Sequence, residues 1–437
     1  MSKKASLFFL LVLLSLHLTV YSQSNILPTG TDTACVNGMF VFHKIYMGAR
    51  DDIGYDIVST SDSGYVIAGQ TNSFGNGGYD GLLMKVNKKG NTVWSKAAGG
   101  SGNDAFYGIK RTSYNGFIAV GQTKSYGNAA GDAWLVKLDS SGNVQWSKKY
   151  GDGNVDGEVA WEVIQLSDGG YAFCGTHKFT PGNAEGFMVR TDSQGNVLWS
   201  KQYGAPGSDQ IWGLLEDGNS IVTAGFYQGG SYYDSYLMKL DKSNGAIQLI
   251  KGYDGENRST QFYRIRKNGS GYQVSSIVLD NFNVINQQQF IWNLNSDGTV
   301  QNVRKMVIPG INNIDFGWYP RADGGFISIN GEYNSSSDLL ISSVNPDGSL
   351  AWSKKYVRTG QQFMNMIIPS PEGGFTAVVP SLPGCVSFGK TLTDAKKMIL
   401  DAIFGYLIYM KKRGEGMPKG DRDTFVSVVD LSSSIHA

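Results

Sequence analysis

The stretch VKLDSSGNVQWSKKYG, from Val136 to Gly151, contains two runs of alternating apolar and polar residues on either side of a short Ser/Gly/Asn turn. Such alternation predicts two β-strands with one buried face each, and the Gly in the turn supplies the backbone angles of a tight hairpin. A closely similar stretch, TDSQGNVLWSKQYG, begins at Thr191, about 50 residues further on. The chain is therefore predicted to be a repeat protein built from hairpins.

A second marker shows the same period. An aromatic or aliphatic residue that follows a Gly pair or its equivalent opens a run such as GGYAFCGTH at seven places: Tyr65, Phe117, Tyr171, Ile221, Tyr272, Phe326 and Phe375. Each repeat holds four short strand-like runs, and four strands per repeat of about 50 residues are typical of a propeller blade. We therefore expect an all-β fold over residues 38–379, a seven-bladed β-propeller of four-stranded antiparallel blades.

The last blade is predicted to be shared between the two chain ends. HKIYMG, from His43, resembles the fourth strand of a repeat, although no first three strands precede it. Pairing of residues 41–48 as the outer strand of the last blade would close the ring and remove exposed sheet edges. Residues 423–431, in DTFVSVVDLSS, match the third strand of earlier repeats and are the candidate for the third strand of this blade.

Three tryptophans recur on the predicted fourth strands: Trp146, Trp199 and Trp352. A Trp at a fixed position in a blade is expected to pack between neighbouring blades. The cysteines Cys35, Cys174 and Cys385 are far apart and odd in number, which does not indicate a disulfide framework. No spacing of Cys or His predicts a metal site, and we expect no cofactor.

Composition and the first residues bear on localisation. The 437 residues include 38 Lys and Arg against 37 Asp and Glu, a balance that gives no support for binding of nucleic acid. Residues 1–22 combine Lys3 and Lys4 with an apolar run, and are predicted to be a signal peptide. A membrane anchor is the alternative, but the run is shorter than the ~20 residues of a span. We expect a linker at 23–37 and a secreted, periplasmic or cell-surface protein.

A foreign segment interrupts the last repeat. From Thr391, apolar residues follow at helical spacing, and Lys411 and Arg413 stand where cations favour a helix end. An amphipathic helix is predicted over residues 392–412. This small α+β element lies in or after the last blade.

The sequence EGGFTAVVPSLPGCVSFGKTLTDAKK contains a Pro-x-Leu-Pro-Gly-Cys turn before the predicted helix. Because of this motif and the helix predicted after it, residues 362–432 resemble the HicB-type antitoxin family. The residues that carry the resemblance are Pro380, Leu382, Pro383, Gly384, Cys385, Gly389 and Thr391. It implies a small β-β-β-α-β module that neutralises a HicA-type mRNA-cleaving toxin. The shared hairpin at Gly373 indicates either a natural fusion or a gene-assembly chimera.

The loops between second and third strands are rich in aromatic residues and are predicted to share one face of the propeller. The candidate ligand-binding aromatics are Tyr79, Tyr126, Phe179, Tyr232, Tyr233 and Phe282. Flat apolar side chains beside amides and glycines are typical of adaptable binding loops. A protein or glycan ligand is therefore predicted on this face, and local packing of these rings is the alternative.

The repeats resemble those of exported bacterial β-propellers, and the turn in VKLDSSGNVQW is similar to the repeat of quinoprotein dehydrogenases. No adjacent cysteines, catalytic triad or phosphate loop is found. The sequence therefore predicts a non-catalytic, secreted binding or scaffold protein that carries a HicB-like module. A HicB-type antitoxin and a quinoprotein-like dehydrogenase are the alternatives.

Overall fold

The structure is a computed structural model that describes residues 20–23, 27–28, 32–36, 39–44, 46–47, 50–151, 157–177, 184–204, 207–228, 230–255, 257–279, 288–306, 313–321, 323–332, 339–356, 366–370, 375–379 and 385–388. Every regular element in these residues is a β-strand. No candidate for a membrane-crossing helix occurs in this part of the chain.

Five short strands precede the regular repeats. They are β1 (Val20–Gln23), β2 (Leu27–Pro28), β3 (Asp32–Val36), β4 (Met39–Lys44) and β5 (Tyr46–Met47). Two of them, β2 and β3, fall within the segment assigned from the sequence to a linker. Strand β1 pairs with the outer edge of the first blade, described next, and β2 pairs with β5.

Six blades of four consecutive antiparallel strands follow. The first three contain β6 (Asp52–Ser59), β7 (Tyr65–Thr71), β8 (Asp80–Val86) and β9 (Thr92–Ala98); β10 (Asp104–Arg111), β11 (Phe117–Thr123), β12 (Asp132–Leu138) and β13 (Val144–Tyr150); and β14 (Glu158–Gln165), β15 (Tyr171–His177), β16 (Glu185–Thr191) and β17 (Val197–Tyr203). The next three contain β18 (Asp209–Asp217), β19 (Ser220–Gln228), β20 (Tyr233–Asp241) and β21 (Ile247–Tyr253); β22 (Ser259–Asn268), β23 (Gly271–Leu279), β24 (Gln288–Leu294) and β25 (Val300–Met306); and β26 (Asn313–Pro320), β27 (Phe326–Glu332), β28 (Leu339–Val344) and β29 (Leu350–Tyr356).

Strands from both chain ends form one further sheet. It holds β30 (Met366–Pro369), β31 (Phe375–Val379) and β32 (Cys385–Phe388), and its strand order is β3-β4-β32-β31-β30. We call it the closing sheet, because β30 packs against both β26 and β6. A hydrogen bond of 2.8 Å between the hydroxyls of Tyr65 and Ser370 joins it to the first blade.

The closing sheet corrects two predictions. Seven four-stranded blades are not borne out, since there are six blades of four consecutive strands, the first of them extended by β1, and the closing sheet has five strands. Its third strand is β32, which pairs with β4 through Val386 and Lys44, because the chain turns back directly after β31. Residues 423–431, the predicted third strand, lie outside the described residues. The predicted helix at 392–412 also lies outside them and is not borne out.

The apolar cores lie between adjacent sheets. One cluster joins Val66 and Leu83 of the first blade to Phe106 and Trp134 of the second, all of them fully or almost fully buried. Second and third strands have neighbours on both edges and both faces, which is why runs such as FIAVGQT in β11 are buried almost throughout. Each such apolar side chain contributes about 1.5–3 kcal/mol on burial.

The outer rim is held by a contact that repeats from blade to blade. A Tyr hydroxyl at the end of one outer strand donates to a turn carbonyl of the next sheet, at 2.5–2.9 Å. These bonds join Tyr46 to Gly90, Tyr150 to Gly195, Tyr203 to Gly245 and Tyr253 to Gly298. In making this bond to the first blade, Tyr46 of β5 takes the place of an outer-strand Tyr.

Tryptophans of the outer strands cover the same turns. Trp146 packs against a core that includes Tyr171 of the following blade, and Trp199 Nε1 donates to the Lys242 carbonyl at 2.9 Å. Gly195, at φ 73°, lies so close to the Trp146 ring that an added Cβ would be 3.0 Å from it. The predicted packing of Trp146 and Trp199 between blades is confirmed.

Candidate functional site

The first strand of each blade lies at the inner edge of its sheet, around the centre of the ring. Strand β10 packs against β6 and β14, and β18 packs against β14 and β22. Side chains that leave these strands toward the centre are therefore brought together from several blades. A propeller surrounds such a central opening with its innermost strands.

Each of these strands carries a β-bulge, and an aromatic residue occupies it. The ladder between first and second strands skips one residue in blades one to five, namely Tyr55, Tyr107, Trp161, Trp212 and Tyr263. A bulge leaves its residue unpaired and re-aims the side chain. The repeat thereby brings the bulge aromatic of each blade next to that of the following blade.

The five rings form an unbroken row, which we call the aromatic row. The ring centroids are 5.1 Å apart for Tyr55 and Tyr107, 5.0 Å for Tyr107 and Trp161, 4.8 Å for Trp161 and Trp212, and 5.3 Å for Trp212 and Tyr263. Tyr55, Tyr107, Trp161 and Trp212 are only half-buried, although the core aromatics between the blades are closed to solvent. The row thus leaves part of its apolar surface accessible on the innermost strands.

Hydrogen bonds hold several of these rings in place. Trp212 Nε1 donates to Gln210 Oε1 at 2.9 Å, and the Tyr263 hydroxyl donates to Gln261 Oε1 at 2.6 Å. Trp161 Nε1 donates to Thr176 Oγ1 at 3.0 Å. Burial raises the pKa of Tyr263, which keeps its phenol neutral. The rings are preorganised, so a ligand would not have to order them on binding.

Charged side chains from several blades meet further along the same strands, in a group that we call the central ion network. Lys110 Nζ lies 2.5 Å from Glu162 and 3.4 Å from Asp56. Arg264, two blades from Glu162, donates to the same carboxylate. Burial alone would raise the pKa of Glu162, but Lys110 and Arg264 outweigh it and hold the pKa below its ordinary value.

Asp56 also serves the backbone in this network. Its Oδ2 accepts the Ile109 amide at 2.8 Å, on the inner edge of the next blade. Burial alone would lower the pKa of Lys110, whereas the carboxylates of Asp56 and Glu162 outweigh it and raise the pKa. Within the described residues, no group of three or more His, Cys, Asp or Glu side chains could hold a metal ion.

The loop aromatics predicted from the sequence fall in different surroundings. Tyr233 is brought to the aromatic row, since its ring contacts Phe226 at 5.4 Å and Phe226 contacts Tyr263 at 5.8 Å. Tyr126 instead donates to the Gly99 carbonyl of the preceding blade at 2.7 Å. The remaining predicted residues are Tyr79, whose hydroxyl donates to Asp51 at 3.3 Å, the half-buried Tyr232, and Phe179 and Phe282, which lie outside the described residues.

Of the HicB-like motif, only Cys385 lies within the described residues, as the first residue of β32. Strands β30, β31 and β32 run antiparallel in sequence order. The strand on each side of the Pro-x-Leu-Pro-Gly-Cys turn is therefore present. These strands belong at the same time to the closing sheet of the ring.

The aromatic row was missed from the sequence, although a signal for it exists. An acidic residue opens each of the first four inner strands, and the aromatic residue follows three positions later, as in Asp104 and Tyr107 or Glu158 and Trp161. Four occurrences at the repeat period would have singled out this position. In a single repeat, this aromatic residue looks like any other apolar residue of a strand, because the sequence does not reveal the bulge that changes its direction.

Comparison with known proteins relates one short stretch of the chain to a family. No family model matches the chain. The UPF0150 protein Ta0767 of Thermoplasma acidophilum is 39% identical over 59 residues, which are 13% of this chain and 86% of that protein. Over this stretch the chain belongs to the UPF0150 family. The UPF0150 segment bears out the HicB-like resemblance only as a short partial match, and the antitoxin role remains a prediction.

Several solved structures are similar to the larger part of the chain at TM-scores below 0.5. A polysaccharide lyase of the PL25 ulvan lyase family is 10% identical, with 80% of this chain and 99% of that chain covered at a TM-score of 0.49. A protein of unknown function from Bacteroides caccae is 10% identical over 67% of this chain and 97% of its own, at 0.41. Sqt1 of Chaetomium thermophilum, bound to the N-terminus of ribosomal protein L10, covers 76% of this chain and 84% of its own at 10% identity and 0.43. These likenesses concern the fold alone.

Proposed function

We propose that this chain is a non-catalytic, exported binding protein that holds a glycan or protein ligand in the central opening of its propeller. The aromatic row carries the proposal. Half-buried Trp and Tyr rings in mutual contact, fixed by side-chain hydrogen bonds, give a ligand a large apolar area at little entropic cost.

The surroundings of Cys174 suit a packing role for this side chain. Cys174 is free and fully buried in the core between the third and fourth blades. Burial raises the pKa of its thiol well above the ordinary value, which disfavours the reactive thiolate. Cys174 is accordingly assigned to packing.

A binding screen tests the proposal. The purified protein is applied to immobilised glycans and peptides, and each ligand found is titrated by calorimetry against Trp212→Ala and Tyr114→Ala. Tyr114 is 92% exposed on a turn far from the row and is the control. We expect Trp212→Ala to weaken binding at least about tenfold and Tyr114→Ala to leave it unchanged. Equal affinity of Trp212→Ala and wild type would place the ligand elsewhere and refute the proposal.

The UPF0150 match favours a second candidate for one segment only. We propose that this segment can bind a HicA-type mRNA-cleaving toxin, as the resemblance to HicB-type antitoxins implies. Co-expression with such a toxin tests it: growth is restored if the segment neutralises the toxin. Continued growth arrest with soluble full-length chain present would contradict this role.

A further inference from the structure

One positively charged side chain near the centre takes part in none of the ion pairs described above. Asp56 and Glu162 face three cations, namely Lys110, Arg264 and Arg266. The field of Arg266 reaches both carboxylates, yet no ion pair joins it to either of them within the described part of the chain. These five described side chains together carry one net positive charge.

The Arg266 guanidinium is held in a defined position. It lies 4.5 Å from the centroid of the Tyr319 ring and 5.6 Å from that of Trp318. Its one hydrogen bond within the described residues runs to the Trp318 carbonyl at 3.5 Å, and its buried Nε has no partner there. A planar group with several N–H donors is thus fixed by stacking and has unused donors.

Arg266 follows Tyr263 of the aromatic row by three residues on the same inner strand, or about 10 Å along it. A ligand seated against the row can reach the guanidinium with a substituent. The surplus positive charge disfavours a cationic ligand, even though rings of this kind attract cations where no such charge is near. An anionic group matches it, and a carboxylate matches the fork of a guanidinium best.

We propose that the central opening binds an acidic saccharide, with the sugar ring against the aromatic row and its carboxylate on Arg266. This assignment rests on the proposed binding function and narrows it to one ligand class. A saccharide fits this site better than an acidic peptide does, because its C–H groups can pack on the exposed edges of the rings while its hydroxyls hydrogen-bond to polar groups beside them. The amide side chains of Gln210 and Gln261 stand beside these rings, where sugar hydroxyls would come.

The experiment compares two ligands that differ only in charge. Oligogalacturonate and its fully methyl-esterified form are titrated into the full chain by calorimetry, together with alginate oligomers as a second uronate and oligoglutamate as an acidic peptide. We expect both uronates to bind and esterification to weaken binding about tenfold, the usual contribution of a charge-assisted hydrogen bond. This comparison needs no variant and so does not depend on folding of one.

Two matched variants test whether Arg266 is the cation that binds the carboxylate of the ligand. Arg266→Gln should weaken the uronates about tenfold and leave the ester unchanged. Arg190→Gln is the control, since Arg190 also packs between blades, pairs with Asp168 and has an Nε without a partner, but lies away from the centre. Unfolding midpoints of both variants report whether they are folded.

The outcomes separate the two proposals. Equal affinity for acid and ester, or equal losses in Arg266→Gln and Arg190→Gln, would overturn the charge assignment and leave the aromatic binding site in place. Binding of oligoglutamate in preference to both uronates would overturn the saccharide assignment. If neither uronate binds while other ligands bind in a Trp212-dependent way, only the present inference is wrong. If nothing binds through Trp212, the proposed function is wrong as well.

Discussion

The rim and the centre of this propeller use the same repeat in opposite ways. At the rim, one solution recurs: a Tyr hydroxyl on a turn Gly carbonyl and a Trp over the same turn, as at Tyr150, Trp146 and Gly195. At the centre, the position after the bulge is Asp56 in one blade, Gly108 in the next and Glu162 in the third. Uniform contacts fit a structural task, and individual ones fit a site that must recognise something.

The largest difference between the two regions is expected from their ion pairs. Glu162→Ala removes the buried carboxylate that the partly exposed Lys110 and Arg264 share, and should lower the free energy of unfolding by about 3 kcal/mol. Glu216→Ala removes a carboxylate that is 19% exposed, against 8% for Glu162, and that pairs with one cation rather than two, so it should cost about 1 kcal/mol or less. Urea denaturation measures both, and similar losses would remove the distinction between centre and rim.

Lowering the pH protonates the carboxylate of Glu162 without removing its side chain. The folded-state pKa of Glu162 lies below the ordinary value of 4.5, so its contribution is complete above that pH and is lost as pH falls through the folded-state pKa. Stability should therefore decrease on acidification below about pH 4.5, and less steeply in Glu162→Gln. Identical pH profiles of the two proteins would show that Glu162 does not contribute in this way.

The next largest effect is expected at the rim turns. Gly195→Ala adds the strain of a positive φ to a clash with Trp146, and should cost about 3 kcal/mol. Gly169, also at positive φ but with nothing within 4 Å of an added Cβ, is the matched control, and Gly169→Ala should cost about 1 kcal/mol. Thermal unfolding of both variants isolates the contribution of the Trp packing, and equal losses would show that there is none.

Two tyrosines give the smallest and sharpest test. Tyr150→Phe removes the bond to Gly195 and leaves a buried carbonyl, at a cost of about 1 kcal/mol. Tyr107→Phe should change stability by less than about 0.5 kcal/mol, because the Tyr107 hydroxyl has no hydrogen-bond partner in the described residues. Chemical denaturation decides it, and a larger loss for Tyr107→Phe would indicate a structural role for the aromatic row.

Much of the fold could be predicted from the sequence, and the site could not. The period, the four strands per blade and the packing of Trp146 follow from residue patterns that local physics fixes. The aromatic row depends on a bulge and on contacts between residues such as Trp161 and Trp212, which come from different repeats. The closing sheet was misjudged because β32 is a short strand inside the HicB-like motif, where the repeat pattern has already ended.

The bond between Tyr65 and Ser370 spans 305 positions in the chain. During synthesis, the first blade must therefore wait for its neighbour until nearly all of the propeller has left the ribosome. Until then the strands near residue 44 present an unsatisfied edge, which is the kind of surface that chaperones recognise and that invites association between nascent chains. Slow, late ring closure is the kinetic consequence, since contacts of such long range form last.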